Sequence, residues 1–250
     1  MTLGSGWLER YLRSERALVW HELRQLGSRV REPRFRTEAE LVCDEMARRA
    51  RHNIEVLVDR LSAGGYHFHC NDDDRRPTVP FVAATDGAAD HARWLDDTVG
   101  PLPLTVLSWV RLVGDVWLVG THPGASASAA GDPLVIEIEG SRYPGASMRD
   151  FLIGERDAWR EQLDGDDDPG VFVLPVAPDR LHKDNVSGGS PYGIVVPDAC
   201  ADGLFVGETT MPFVSYLNGV FAHGGFPYTA ASTREWSSIR RQLAKDLLPL

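Results

Sequence analysis

A long apolar stripe between residues 43 and 61 constrains the fold more than any other feature of this chain. Apolar residues recur there at helical spacing, at Cys43, Met46, Ala50, Ile54, Leu57 and Leu61. Thr37 and Glu40 have the spacing of a capping box, and Gly64-Gly65 provides a stop, so the pattern predicts one long helix. A stripe of this length has to be buried against other elements.

A shorter stripe precedes it and predicts a first helix that ends at Gly27, with Pro33 in the connection. Its apolar positions are Leu8, Leu12, Val19, Leu23 and Leu26. We therefore predict an N-terminal helical hairpin over residues 1–64 and a second unit over residues 65–250. One hypothesis for the hairpin is that it mediates self-association in a structural protein.

The rest of the chain mixes strand and helix patterns without a regular β-α-β repeat. Strands are predicted at 66–70, 116–120, 133–139, 171–176 and 192–196, and the segment 133–139 alternates most clearly. Helical patterns occupy 86–99, 103–113, 147–163 and 213–221, and a second capping box at Ser232-Thr233-Arg234-Glu235 opens a C-terminal helix. This order predicts an α+β fold, with a mainly antiparallel sheet of about five or six strands, flanking helices and the N-terminal hairpin.

Charge and composition exclude several classes of function. The net charge is -10, and residues 61–250 carry 14 basic against 26 acidic residues, so this region repels phosphate backbones and we predict no nucleic-acid partner. No apolar run reaches the length of a membrane span, so no membrane association is predicted. The start of the chain lacks a secretory pattern and the three cysteines are odd in number, which favours a cytoplasmic location.

A dense polar motif runs from His182 to Tyr192 and leads into an apolar strand. Its notable members are His182, Asp184, Asn185, Ser187, Gly188, Gly189 and Tyr192. We interpret it as a shaped turn in which the two glycines adopt positive φ and Asn185 and Ser187 bond their own backbone. Tyr192 would anchor the strand, and Gly224-Gly225-Phe226-Pro227 would complete a corner of the sheet.

The same motif permits a catalytic alternative, a hydrolase with a polar site around His182 and Asp184. Triads recruit their members from distant segments, however, and Ser187 lies too close in sequence to fit that rule. The chain lacks the glycine patterns of nucleotide-binding loops and of the nucleophile elbow. We predict no catalytic residue and no cofactor, and the sequence favours a non-catalytic protein over an enzyme.

Two histidines on one predicted strand have the spacing to bind a metal together. His67 and His69 face the same side, and carboxylates follow at Asp72–Asp74. The alternative is a pair of half-buried histidines on a sheet face. Because no CxxC or HExxH spacing accompanies them, we predict no metal.

Acidic clusters are the candidate partner-binding residues. They comprise Asp72, Asp73 and Asp74 and, further along, Asp166, Asp167 and Asp168. One interpretation is solvated turns, and the other is a negative face that speeds encounter with a basic partner and selects it.

The segment around residues 102–114 resembles the core motif of the SUKH superfamily, which includes bacterial immunity proteins and relatives of a fungal cell-wall regulator. The resemblance is carried by Leu102-Pro103-Leu104, Leu107, Trp109-Val110 and Val113-Gly114, and it extends weakly over residues 86–227. It implies an α+β domain that binds a protein partner, often a toxin delivered by a neighbouring bacterium, and blocks it sterically. The resulting prediction is a non-catalytic protein-binding module of the immunity type, with an oligomeric state that the sequence leaves open.

Overall fold

The computed structural model describes residues 6–125, 128–142, 145–163, 170–229 and 233–250. Helices and short antiparallel strands are interspersed along the chain, which confirms the predicted α+β class. The buried apolar residues form one continuous core that runs from Trp7 to Leu250.

The N-terminal region is more broken than its apolar stripes predict. It consists of α1 (Trp7–Leu12), α2 (Arg16–Leu26), a short 3-10 helix (Gly27–Arg31) and α3 (Pro33–Ala63). The predicted first helix is divided at Ser14, whose φ of 78° lies in the left-handed region. The long helix starts at Pro33 rather than at Thr37. Proline suits the first helical position, because the N–H group that it lacks would have no carbonyl partner within the helix.

Helix α3 buries its stripe against the body of the same chain. Every apolar position predicted for the stripe is buried, and α3 packs mainly against a helix that starts at Leu104. The side chain of Asn53 holds the C-terminal segment, since it donates to Leu248 O at 2.8 Å and accepts from Leu248 N at 2.7 Å. The hairpin therefore shares the core of the chain, and its division as a separate domain stays a prediction.

The central region contains two small antiparallel sheets. Its elements are β1 (His67–Phe68), β2 (Phe81–Ala83), α4 (Ala88–Thr98), α5 (Leu104–Leu112), β3 (Gly114–Trp117), β4 (Gly120–Thr121) and β5 (Val135–Ile136). Strand β1 pairs with β4, and β3 lies between β2 and β5. Gly114 has a φ of 103° and no room for a Cβ against the backbone of β2, so glycine is required where α5 turns into β3.

The prediction for residues 133–139 is wrong in length. Only Val135 and Ile136 form a strand, and the residues on both sides of it are buried, including Glu137. Glu137 is buried together with its ion-pair partner Arg142, so its place in the pattern does not mark a solvent-facing side. In an alternating pattern, a charged residue indicates a solvent-facing position only when no oppositely charged partner is buried beside it.

The C-terminal half carries the largest sheet. Its elements are α6 (Met148–Leu163), β6 (Phe172–Ala177), α7 (Arg180–Lys183), β7 (Tyr192–Val196), β8 (Leu204–Val206), β9 (Thr210–Pro212), α8 (Phe213–Ala222) and α9 (Arg234–Leu243). The strand order is β6-β7-β8-β9, all antiparallel, with β6 at an edge as Pro175 predicts. The described strands are thus divided among three sheets, whereas the sequence predicted one sheet of five or six.

The cap of α9 allows a direct test of local stability. The Thr233 side chain accepts a hydrogen bond from Trp236 N at 3.1 Å. We expect Thr233→Ala to lower the free energy of unfolding by about 1 kcal/mol, because the Trp236 N–H loses its partner. Urea denaturation followed by circular dichroism would measure this. Thr233→Ser is the control and should keep most of the stability; an alanine variant as stable as the parent would contradict the assigned cap.

Candidate functional site

The polar motif begins with a capped single turn of helix. Asp179 precedes α7, and its carboxylate accepts from His182 N at 2.9 Å and pairs with His182 Nδ1 at 2.9 Å. Burial raises the pKa of the Asp179 carboxyl, but the hydrogen bonds from His182 outweigh it, and the pKa lies below its usual value. Asp179 therefore fixes both the helix start and the orientation of the imidazole.

Lys183 is the most deeply buried member of the motif. Its side chain is 0% exposed, its Nζ lies 2.7 Å from Asp132 Oδ1, and it packs over the ring of Tyr192 at 4.7 Å. Burial lowers the pKa of the Lys183 ammonium, and Asp132 acts in the opposite direction. The pair joins the motif to the segment before β5, where Asp132 adopts a left-handed conformation with φ of 57°.

Tyr192 extends this polar network to the largest sheet. Its hydroxyl donates to Glu208 Oε1 at 3.1 Å and lies 3.5 Å from Asp132 Oδ2. Burial and then the two nearby carboxylates raise the pKa of the Tyr192 hydroxyl. Arg180 stands at the edge of the network, 3.4 Å from Glu208 and over the ring of Tyr228 at 4.3 Å.

The corner at residues 224–228 reaches the same place. Gly224 and Gly225 have φ values of 65° and 93°, and Gly225 O accepts from Leu134 N at 2.9 Å. Tyr228 N donates to Gly131 O at 3.1 Å. The polar motif and the glycine corner, which lie far apart in sequence, therefore both hold the segment that contains Asp132.

The predicted roles of the motif glycines are wrong. Neither Gly188 nor Gly189 has positive φ; the left-handed residue of the loop is Asn185, with φ of 57°. Gly188 is required for a different reason, because a Cβ there would overlap the Asp179 carboxylate. Asn185 also does not bond its own backbone, and within the described chain the Ser187 hydroxyl makes no hydrogen bond.

The first acidic cluster lies directly against the motif. Asn71 Nδ2 donates to His182 O at 2.9 Å, and Asn185 Nδ2 donates to Asp73 Oδ1 at 2.7 Å. Asp72 is paired with Arg76 at 2.7 Å, and the hydrogen bond from Arg76 lowers the pKa of the Asp72 carboxyl. We call the joined segments 71–76 and 182–190 the acidic corner. The second predicted cluster, Asp166, Asp167 and Asp168, lies outside the described residues.

The acidic corner does not assemble a nucleophilic site. His182 has a carboxylate partner in Asp179, not in Asp184, which instead ends α7 and has its pKa raised by burial. In the described ranges, neither the Ser187 nor the Ser190 hydroxyl is hydrogen bonded to His182. A hydrolase needs the base beside a nucleophile, and the geometry supplies only the orienting half of that arrangement.

Of the two predicted histidines, His67 lies in β1 and is exposed, whereas His69 follows the strand and is buried. His69 Nδ1 lies 2.7 Å from Cys70 O, and its Nε2 lies 2.9 Å from Thr121 Oγ1. Among the residues that the structure describes, no group of three or more histidine, cysteine or carboxylate side chains is placed to hold a metal ion.

A cavity of about 210 Å³ opens beside the Asp132 network. Its walls come from the start of β7, the hairpin of β8 and β9, α8 and the glycine corner. Asp132, Tyr192, Glu208, Tyr216 and Tyr228 line it. The sequence predicts Tyr192 only as an anchor of the strand. Its pattern does not indicate a site role for four further residues, Asp132, Asp179, Lys183 and Glu208.

One signal in the sequence marks Lys183. The chain has 24 arginines and only two lysines, Lys183 and Lys245, so lysine at position 183 is unusual for this protein. A compact ammonium fits a closed space beside one carboxylate, whereas a guanidinium would bring five donors that all need partners. No comparable signal marks Asp132 or Glu208.

Comparison of the chain with known proteins gives no relative. No family model matches it, and neither the curated proteins nor the solved structures include a significant match. The resemblance to the SUKH superfamily therefore stays a prediction. Within the described ranges, no helix is both long enough and apolar enough to cross a membrane.

The Lys183–Asp132 pair predicts strong coupling between two substitutions. We expect Lys183→Met alone to cost about 3–5 kcal/mol of unfolding free energy, since it leaves the Asp132 carboxylate without its ammonium. Combining it with Asp132→Asn should cost less than the sum of the single changes, because asparagine tolerates the left-handed conformation and removes the orphaned charge. A double-mutant cycle by urea denaturation measures the coupling. Additive effects would show that the two groups do not stabilise each other.

Proposed function

We propose that this chain is a non-catalytic protein-binding module of the toxin-neutralising immunity type, and that the acidic corner is its docking surface. The observation that carries the proposal is the joining of two sequence-distant polar segments into one exposed surface. Residues 73–76 and 185–190 are exposed, and the hydrogen bonds from Asn71 and Asn185 hold the two segments together. A surface ordered before binding loses less conformational entropy when a partner docks.

The charge of the acidic corner supports a basic partner. It carries the carboxylates of Asp72, Asp73, Asp74 and Asp184 against the guanidiniums of Arg75 and Arg76, while Lys183 is buried and paired with Asp132 outside the corner. Arg76 is occupied by Asp72, and among the described residues Asp73 is bonded only by the neutral Asn185 amide. Within the described chain Asp74 has no ion-pair partner, so Asp73 and Asp74 present negative charge to solvent. Such charges act mainly on the rate and selectivity of association.

The internal hydrogen bonding of the motif also favours recognition over hydrolysis. The polar groups of the loop are largely used to hold its own backbone and the neighbouring turn. The pairing of His182 with Asp179 keeps a hydrolase as the alternative, since it would orient a general base. That alternative requires a nucleophile that the geometry around His182 does not supply.

The proposal predicts a charge-specific loss of binding. The test uses the product of a toxin gene adjacent to the gene for this chain, in a catalytically inactivated form. We expect Asp73→Asn/Asp74→Asn to lower the association rate constant about tenfold at low salt, because steering by the corner is lost. Surface plasmon resonance at several salt concentrations measures it, and co-expression with the active toxin measures protection of growth.

A matched variant separates local from overall charge. Asp59→Asn/Asp97→Asn removes the same two charges from exposed positions elsewhere on the chain and should leave binding and protection unchanged. Equal effects of the two double variants would argue against the acidic corner as the docking surface. A chain that neither binds nor protects against the product of an adjacent gene would overturn the immunity function itself.

A further inference from the structure

The cavity beside Asp132 has a composition that selects among small molecules. Its volume of about 210 Å³ lies below the range of roughly 300–1,000 Å³ that holds drug-sized ligands. Aromatic rings form much of its wall, and the rings of Phe205 and Tyr216 are stacked with centroids 3.8 Å apart. The space suits a molecule of about one ring with a short substituent.

The carboxylates at this cavity have unused accepting capacity. Asp132 Oδ1 accepts from Lys183, but within the described ranges Asp132 Oδ2 has only the distant Tyr192 hydroxyl, at 3.5 Å. Glu208 uses Oε1 for Tyr192 and Arg180, and within the described residues its Oε2 has no hydrogen-bond partner. A carboxylate accepts through both oxygens, so each group can take a donor from a ligand.

The ring of Tyr216 forms part of the cavity wall, and the residue is only 8% exposed. Its hydroxyl is itself buried and, among the described residues, has no hydrogen-bond partner. Tyr216 therefore offers a ligand the apolar face of its ring.

The cations of the neighbourhood do not line the cavity. Lys183 is buried behind Asp132, and Arg180 lies over Tyr228 and beside Glu208. The charged side chains that do line it are Asp132 and Glu208, so the cavity presents acceptors and aromatic faces. Each carboxylate is paired with a cation outside the cavity, but the groups that face a ligand are acceptors and ring faces, which an ammonium satisfies and an anion does not.

We propose that this cavity is a binding site for a small organic ammonium, an aromatic body of about one ring that carries a primary amine. The amine donates to the free oxygens of Asp132 and Glu208, and the body packs between Tyr228 and the stacked Phe205–Tyr216 pair. This site goes beyond the docking function and does not depend on it.

Three probes with the same aromatic body test the charge requirement. They are tyramine, its neutral alcohol analogue tyrosol and the anion 4-hydroxyphenylacetate, each titrated into the full chain by isothermal calorimetry. We expect tyramine to bind with one site per chain, and the alcohol and the anion to bind at least tenfold more weakly. Equal or tighter binding of the anion, or no binding of tyramine at millimolar concentration, would overturn the proposal.

Substitutions locate the binding to this cavity. Glu208→Gln changes a side chain that is 49% exposed, so the fold should persist, and it should weaken tyramine binding at least tenfold. Tyr228→Ala removes one aromatic wall of the cavity at a partly exposed residue and should weaken binding severalfold. Glu161→Gln, on the exposed side of α6, is the control and should have no effect. If tyramine binds Glu208→Gln and Tyr228→Ala as tightly as the parent, the site is elsewhere and the assignment is wrong.

Discussion

The buried ion pair between Lys183 and Asp132 is the interaction on which the surrounding architecture depends. It connects a loop that follows β6 with the segment that leads into β5, across 51 positions of sequence. A buried ammonium is tolerated only beside a well-placed partner, so the pair fixes the relative position of the two backbone segments. The packing of Tyr192, the bond to Glu208 and the glycine corner all follow from where Asp132 is held.

This constraint explains why the motif contains so many polar residues. A loop that leaves an edge strand, turns through one helical turn and enters β7 exposes many backbone groups that need partners. Asp179 satisfies the start of α7, Asn71 satisfies His182 O, and the absence of a side chain at Gly188 lets the backbone approach Asp179. The motif therefore contains many polar residues because its irregular backbone needs side-chain partners for its hydrogen bonds.

Helical periodicity was the reliable part of the sequence. The stripes predicted α3 and α8, because burial of one face is decided by spacing within a single segment. The helix α6 was also predicted, but its anchors Phe151 and Leu163 are exposed and Leu152 is buried instead. Boundaries and strands were less predictable: the start of α3 at Pro33 and the two-residue β5 depend on neighbours that the local pattern does not contain. The hairpin of β8 and β9 has no clear alternation and was missed, since its strands are only three residues long.

The candidate site was predictable only as a list of unusual residues. Asp73 and Asn185 were both singled out, but their hydrogen bond joins positions 112 residues apart and no spacing rule relates them. Asp132 and Glu208 gave no signal because a single carboxylate in a turn is ordinary, and its meaning comes from the side chains packed around it. The acidic corner and the cavity are connected through Lys183, which is buried between the exposed loop and the Asp132 carboxylate that lines the cavity. A ligand that bound Asp132 would therefore act on the same ion pair that holds the loop after α7 in place.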